Sequence, residues 1–158
     1  EHRKLQIRPT DTVIISATPI PGNEKPVTKV INELLRKGAD VIFQIAAQTG
    51  NGVFEAARER GFWAIGVDSN QKHLAEDVIL CSMCKEIGQS ICDVVHTSRS
   101  GDKSLWGTTW LADMSNQYIG VAYGTDGEGV QVPDEVKAEV EALAGQILSG
   151  EIVVDTTR

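Results

Sequence analysis

Residues 36–71 read RKGADVIFQIAAQTGNGVFEAARERGFWAIGVDSNQ, and the order of patterns in this stretch decides the fold. The run Ala39–Ala46 is short, β-branched and apolar on both faces, as parallel strands covered by helices are. A small-residue loop, TGNG, leads into a predicted helix over Val53–Arg60, which Gly61 closes. A second strand follows, FWAIGVD, and it ends on an acid, Asp68. Strand, helix and strand in this order make a unit whose two strands lie parallel in one sheet.

Working upstream, TVIISA (Thr12–Ala17) reads as a buried strand and TPIPGN as a loop. Asn23 is placed to cap a helix, with Pro26 in its first turn, where a missing N–H is tolerated. Val27, Val30, Ile31, Leu34 and Leu35 recur at helical spacing as one apolar stripe, and Gly38 ends that helix. Downstream, DVILCSM predicts a fourth strand, and a helix is expected from about Cys84 to about Ser98. Its inward stripe would be Cys84, Ile87, Ile91 and Val94. TTWLADMSNQYIGVAYG reads as two strands around MSNQ. A last helix opens at Pro133 with Asp134 and Glu135 in its first turn, turns Val136, Val140, Leu143 and Ile147 inward, and closes at Gly150. EIVVDTTR is a tail or a short edge strand. The KLQI segment, residues 4–7, could add another edge strand.

The expected fold class is α/β: a doubly wound, mostly parallel sheet of Rossmann-like or flavodoxin-like type, as one domain over residues 1–158. Such sheets bind ligands beyond the C-terminal ends of their strands. Here that edge carries the loops after Ala17, Ala46 and Val67.

The bulk numbers agree. With 158 residues, 41% hydrophobic and 23% charged, the chain can bury a core. A net charge of −7 argues against a nucleic-acid partner. The apolar runs are too short for membrane insertion. The sequence opens at Glu1 without a signal-peptide pattern, so localisation is not read from it. Cys81, Cys84 and Cys92 are an odd set for disulfides. CSMC has half a zinc site's spacing, and His96 lies four residues after Cys92, but no second pair completes a zinc site, and the expected role is that of small buried hydrophobes. No metal and no cofactor are expected.

AAQTGNG lacks the order of a dinucleotide fingerprint and the Lys-Ser/Thr of a phosphate loop. It reads either as a tight turn or as a pocket rim using backbone amides. Asp68 reads either as a turn residue of DSNQ or as a carboxylate accepting from ligand hydroxyls, a sugar diol above all. Lys85 either points to the same edge or is solvated. Nucleophile–base pairs and an HxHxDH cluster are missing, so no catalytic residue is expected and the chain is read as not an enzyme.

The pieces GADVIF, TGNGVFEAA, WAIGVDSNQ, VILCSMCK, YIGVAYG and VPDEVKAEVEALAGQILSGEI, in this order, resemble the Bmp/PnrA-type basic membrane lipoproteins, the substrate-binding proteins of nucleoside ABC transporters. The resemblance covers residues 39–153. It implies one lobe of a type I periplasmic binding protein, an extracytoplasmic lipoprotein setting and a purine nucleoside as ligand. It places ribose contact on Asp68 and a second ligand contact on Lys85. The loop residues Ala47, Gln48 and Thr49 fall at the ligand, where the family usually has Gly-Gly before TG; the larger Ala47 and Gln48 would crowd it.

Residues 1–42 are similar instead to a β-CASP segment of ribonuclease J, with DTVIISATPIPGNE the specific part. That family's metal-binding histidines and aspartates are absent from the chain. The two resemblances meet at GADVI, which implies a chimera: a ribonuclease J-like βα segment over 1–38, a Bmp/PnrA-like lobe over 39–153 and a tail over 154–158. The function implied is non-catalytic nucleoside binding, weakened or lost. The alternatives are an engineered or recombined scaffold with no ligand and a ribonuclease-derived fragment. Lobe surface normally covered by a partner could drive homo-oligomer formation. The chimera requires Thr12–Ala17 to pair in parallel with Ala39–Ala46.

Overall fold

A computed structural model of the chain describes residues 14–15, 24–46 and 50–154. Residues 4–7, the loop 18–23 with its expected cap Asn23, the rim residues Ala47, Gln48 and Thr49, and residues 155–158 lie outside the described residues.

The described elements alternate from the start. Strand β1 (Ile14–Ile15) leads to helix α1 (Glu24–Arg36), then β2 (Val41–Gln44), α2 (Asn51–Arg60) and β3 (Trp63–Asp68). A 3-10 turn over Lys72–Leu74 precedes β4 (Ile79–Lys85), which is followed by α3 (Ile87–Arg99), β5 (Ile119–Ala122) and α4 (Asp134–Ser149). The strands form one sheet in the order β1-β2-β3-β4-β5. The first four run parallel, and β5 joins β4 antiparallel. This mixed, mostly parallel sheet with flanking helices is the expected α/β lobe.

The N-terminal pairing on which the two-family reading depends is present. Ile14 lies opposite Phe43 and Ile15 opposite Gln44, in parallel register. The connecting helix α1 then packs Ile31 and Leu34 into the same core as α2. That core joins Val53, Phe54 and Ala57 of α2 to Ile42, Ala64 and Ile79 on one face of the sheet, with Phe62, Ala75 and Val78 at its margin. Each large apolar side chain so buried contributes roughly 2 kcal/mol. Ala57 has no exposed surface, so helix and sheet meet there without room for a longer side chain. Outside the core, Arg58 Nε donates to both carboxylate oxygens of Asp77 at 2.8 Å, tying α2 to the turn before β4.

Several expectations need correction, and one physical cause unites most of them. Strand β2 was expected to be apolar and covered on both faces. Its pattern instead alternates, with Ile42 and Gln44 buried and Val41 exposed. Helix α3 begins at Ile87, after Lys85 and Glu86, rather than at Cys84, which belongs to β4. Its apolar stripe exists, but Ile87 and Ile91 are each 59% exposed and Val94 is exposed too. In α4, Val136 and Leu143 are exposed, and no residue of that helix is fully buried. Val30 of α1 also faces outward. A periodic apolar stripe reports which side of a helix avoids water, and it does not supply the surface that would cover it.

The segment 108–124 holds one strand, not two: only Ile119–Ala122 pairs, and residues 151–154 form no strand. The chain before β5 is spent on a turn instead. Asp113 accepts from the Ser115 amide and hydroxyl, and Tyr118 N–H donates to Asp113 O. Tyr118 is buried, stacks edge-on against Trp110 at 5.2 Å, and donates its hydroxyl to Asp93 of α3 at 2.5 Å. That hydrogen bond holds the phenol proton and pushes its pKa up to about 12.

Lys72 was not singled out in the sequence, yet it is among the most buried side chains of the molecule. Its ammonium donates to Ile79 O at 2.5 Å, to Leu80 O at 3.5 Å and to Val130 O. It therefore straps the loop after β5 onto the start of β4. Val130 N–H, donating to Glu76 O at 2.8 Å, closes the same strap. Burial pulls the lysine below its ordinary pKa of 10.5, against the opposing charges of Glu128, Cys81 and Glu76.

Replacing Lys72 by Met should lower unfolding stability by about 2–3 kcal/mol, because three carbonyls lose a charged donor. The pH dependence has a definite sign. Between the depressed folded pKa and the unfolded value of 10.5, the unfolded chain binds more protons, so the lysine's contribution grows as pH rises. Urea denaturation of both proteins across alkaline pH should show the stability gap widening towards pH 10.5; a gap that narrows would mean that the ammonium's bonds to the three carbonyls outweigh the cost of its burial.

Candidate functional site

The C-terminal ends of β2, β3 and β4 converge on one edge of the sheet. Asp68 ends β3 opposite Cys84, and Lys85 follows as the last residue of β4. Sequence reasoning named both, and the structure brings them together: Lys85 Nζ stands 2.8 Å from Asp68 Oδ1. Each side chain is a little under half exposed, so the pair is held in place yet open to solvent. A carboxylate in this setting keeps one oxygen able to accept from an incoming hydroxyl.

Asp68 has φ 69°, in the left-handed region that a non-glycine residue rarely adopts. Aspartate tolerates it better than most residues, and here it turns the chain out of the sheet into SNQ. Ser69 N–H donates to Val67 O at 2.9 Å across this sharp turn, and Asn70 Oδ1 accepts from Lys72 N–H at 3.1 Å to start the 3-10 turn.

Beneath the turn lies a polar network that sequence reasoning missed. Gln44, the last residue of β2, is wholly buried, as is Ser82 of β4. Gln44 Oε1 accepts from Ala46 N–H at 2.9 Å, and its Nε2 donates to Gln71 Oε1 at 3.1 Å. The same Gln71 oxygen accepts from Val67 N–H at 2.8 Å, while Gln71 N–H donates to Ser82 Oγ at 3.1 Å. Two glycines make room. A Cβ on Gly50 would lie 2.1 Å from the Gln44 carboxamide, and one on Gly66 would lie 2.5 Å from Ser82 Oγ and 2.8 Å from Gln71 Oε1. Gly50 thus serves close approach, in keeping with the tight-turn reading of AAQTGNG. The signal available in the sequence was Gln44 itself, an amide inside an otherwise apolar strand.

The cysteines do not act as one group. Cys84 is buried and Cys81 partly so, and burial raises both thiols above their ordinary pKa. Cys92 is exposed on α3, which corrects the expectation of a buried hydrophobe at that position. Among the described residues, no three His, Cys, Asp or Glu side chains are placed to hold a metal ion. No described helix is long and apolar enough to cross a membrane.

Comparison with known proteins places this edge in context. Residues 24–158 match the family described as ABC transporter substrate-binding protein PnrA-like, and residues 1–34 match the β-CASP domain of ribonuclease J. Basic membrane protein A of Borreliella afzelii is 28% identical over 138 residues, covering 79% of this chain and 38% of the relative. The CD4+ T-cell-stimulating antigen of Listeria innocua is 30% identical over 142 residues, covering 80% of this chain and 38% of the relative. Ribonuclease J of Thermus thermophilus is 55% identical over 42 residues, which is 27% of this chain and 7% of that enzyme. The chain therefore spans well under half the length of the relatives it matches.

Among solved structures, one titled a transcriptional activator of the comK gene from Bacillus halodurans matches with a TM-score of 0.70 at 19% identity, covering 84% of this chain and 45% of the other. An ABC transporter solute-binding protein from Conexibacter woesei matches with a TM-score of 0.61 at 22% identity, covering 82% and 41%. These structural likenesses support the fold alone.

Two substitutions separate the exposed pair from the network below it. Asp68→Ala should change stability by less than about 1 kcal/mol, since a half-exposed ion pair is worth little. Gly66→Ala should cost about 1–3 kcal/mol, because the new methyl overlaps Ser82 and Gln71. Thermal melts of the two variants check the contrast, and equal losses would mean the network is not a fixed support.

Proposed function

The chain belongs to the PnrA-like family of ABC transporter substrate-binding proteins, and from that premise we propose that it is a nucleoside-binding lobe without catalytic activity. The supporting observation is the Asp68–Lys85 pair at the ligand-facing edge of a parallel sheet. Asp68 accepts hydrogen bonds from the two ribose hydroxyls, with Lys85 both neutralising the carboxylate and donating to the ligand. The family likeness assigns further ligand contact to Ala47, Gln48 and Thr49. A purine nucleoside fits the family, and delivery to an ABC transporter is the setting such a lobe serves.

Binding through this edge alone is weak. A pocket that holds a small molecule well covers most of its surface, and a single sheet edge covers one side. On this reading, the ribonuclease J-like segment contributes β1 and α1 to the fold and no nuclease chemistry. The rival reading is a recombined fold that keeps the architecture and binds nothing.

A second property follows from the exposed apolar residues of α3 and α4. Ile87, Ile91 and Val94 on α3 and Leu143 on α4 leave apolar area that water covers at a cost, and self-association is the expected response. Size-exclusion chromatography with light scattering should show a mass that rises with protein concentration; a monomer at all concentrations argues against it.

Calorimetric titration with inosine, guanosine and adenosine tests the main reading. Saturable heat in the wild type that disappears in Asp68→Ala is the expected result. An absence of heat with every nucleoside, from protein that melts cooperatively, would favour the scaffold reading.

A further inference from the structure

We propose that Gln71, braced by Gln44, is a positioning residue that sets Asp68 for its ligand and couples the chain leaving β2 to the chain leaving β3, so that the two ligand-facing segments respond as one unit. The inference rests on the binding role given to Asp68 above, but the coupling itself can be measured without any ligand.

The argument is one of hydrogen-bond capacity. A glutamine carbonyl oxygen has two lone pairs, and both of those on Gln71 are used, one by Val67 N–H and one by Gln44 Nε2. The first bond closes a loop of chain around Asp68, because Val67 precedes that residue and Gln71 follows it by three. With Val67 and Gln71 fixed, Asp68 is held at its positive φ rather than relaxing into the β region. The second bond leads away from Asp68 into the neighbouring strand. Gln44 passes the constraint on through its own Oε1, which accepts from Ala46 N–H. The run is thus Ala46, Gln44, Gln71 and Val67, with Ser82 anchoring the Gln71 backbone from a third strand.

The geometry also limits slack. Gln44 is wholly buried, and Gly50 and Gly66 press their backbones against the two carboxamides at distances no Cβ could share. Neither amide can swing away without leaving a buried donor or acceptor unpaired. A shift in the segment at Ala46 is therefore transmitted to Val67 and on to Asp68, and the reverse holds equally.

The test uses Gln71→Met, which keeps length and removes the acceptor, and Gln71→Glu, which restores an acceptor. Amide hydrogen exchange of the full chain is the first readout. In Gln71→Met, the amides of Val67 and, in the other segment, Ala46 should each exchange at least about tenfold faster, while Ala64, bonded to Val78 O, keeps its protection. Gln71→Glu should recover most of the protection. If Gln71→Met does not fold, Gln44→Met reads the same coupling from the other side, through Val67.

Unchanged exchange at Ala46 in Gln71→Met, or at Val67 in Gln44→Met, overturns the coupling. Inosine titration adds the functional arm: affinity should fall at least about tenfold in Gln71→Met and return in part in Gln71→Glu. Unaltered affinity in Gln71→Met overturns the positioning role. A wild type that binds no nucleoside defeats the proposed function instead, and the exchange result then decides the coupling by itself.

Discussion

Gln44 places a carboxamide where the sheet is otherwise apolar, and burying such a group is costly unless each of its polar atoms finds a partner. Much of the sheet's C-terminal edge follows from meeting that requirement. The partners are Ala46 on its own strand's exit and Gln71 across the sheet, which fixes where both segments leave it. Two positions then have to be glycine, because the Gln44 carboxamide at Gly50, and Ser82 Oγ with the Gln71 carboxamide at Gly66, take the volume that a Cβ would occupy. Asp68 sits at the top of this arrangement in a backbone conformation few side chains tolerate, with Lys85 drawn beside it by the register of β3 and β4. The exposed pair is energetically minor. The buried amides below it determine its geometry.

The sequence made the β2-α2-β3 unit legible because periodicity, a small-residue loop and a closing glycine all agreed. The same consistency made the β1 pairing predictable, and Asp68 stood out as an acid at a strand end, whereas Lys85 was read just past its strand and gained its ligand contact only from the family resemblance. What the sequence did not disclose depends on residues far apart in the chain. Lys72 follows the polar turn DSNQ and looks solvated, yet the carbonyl that buries it comes from Val130. Gln71 looks like the end of a turn until Gln44 is brought beneath it. The α3 stripe was read correctly as apolar and wrongly as covered, since coverage belongs to a second surface that helix periodicity does not specify.

The two family matches divide the labour unevenly. The PnrA-like match carries the whole candidate edge, including Gln44, Asp68, Gln71, Ser82 and Lys85. The ribonuclease J match covers the first strand and most of the first helix: the backbone ladder of β1 to β2 falls in it alone, while Ile31 and Leu34, in the shared core, fall in both matches. Apolar packing and a parallel ladder make no demand on ancestry. They ask only for matched spacing and a volume that fits.

The position of β1 gives that tolerance a structural basis. Among the described strands, β1 stands at the end of the order and is bonded to β2 alone. A terminal unit of this sort obeys nearest-neighbour rules like those of stacked repeats, having one interface to satisfy rather than two. Exchange of an interior strand would have to restore two ladders and both sides of the amide network at once. The outermost strand and its helix are the part of this architecture most easily traded between unrelated proteins, since the sheet's side offers a socket with one ladder to match, while the interior strands carry the amide network and the Asp68–Lys85 pair.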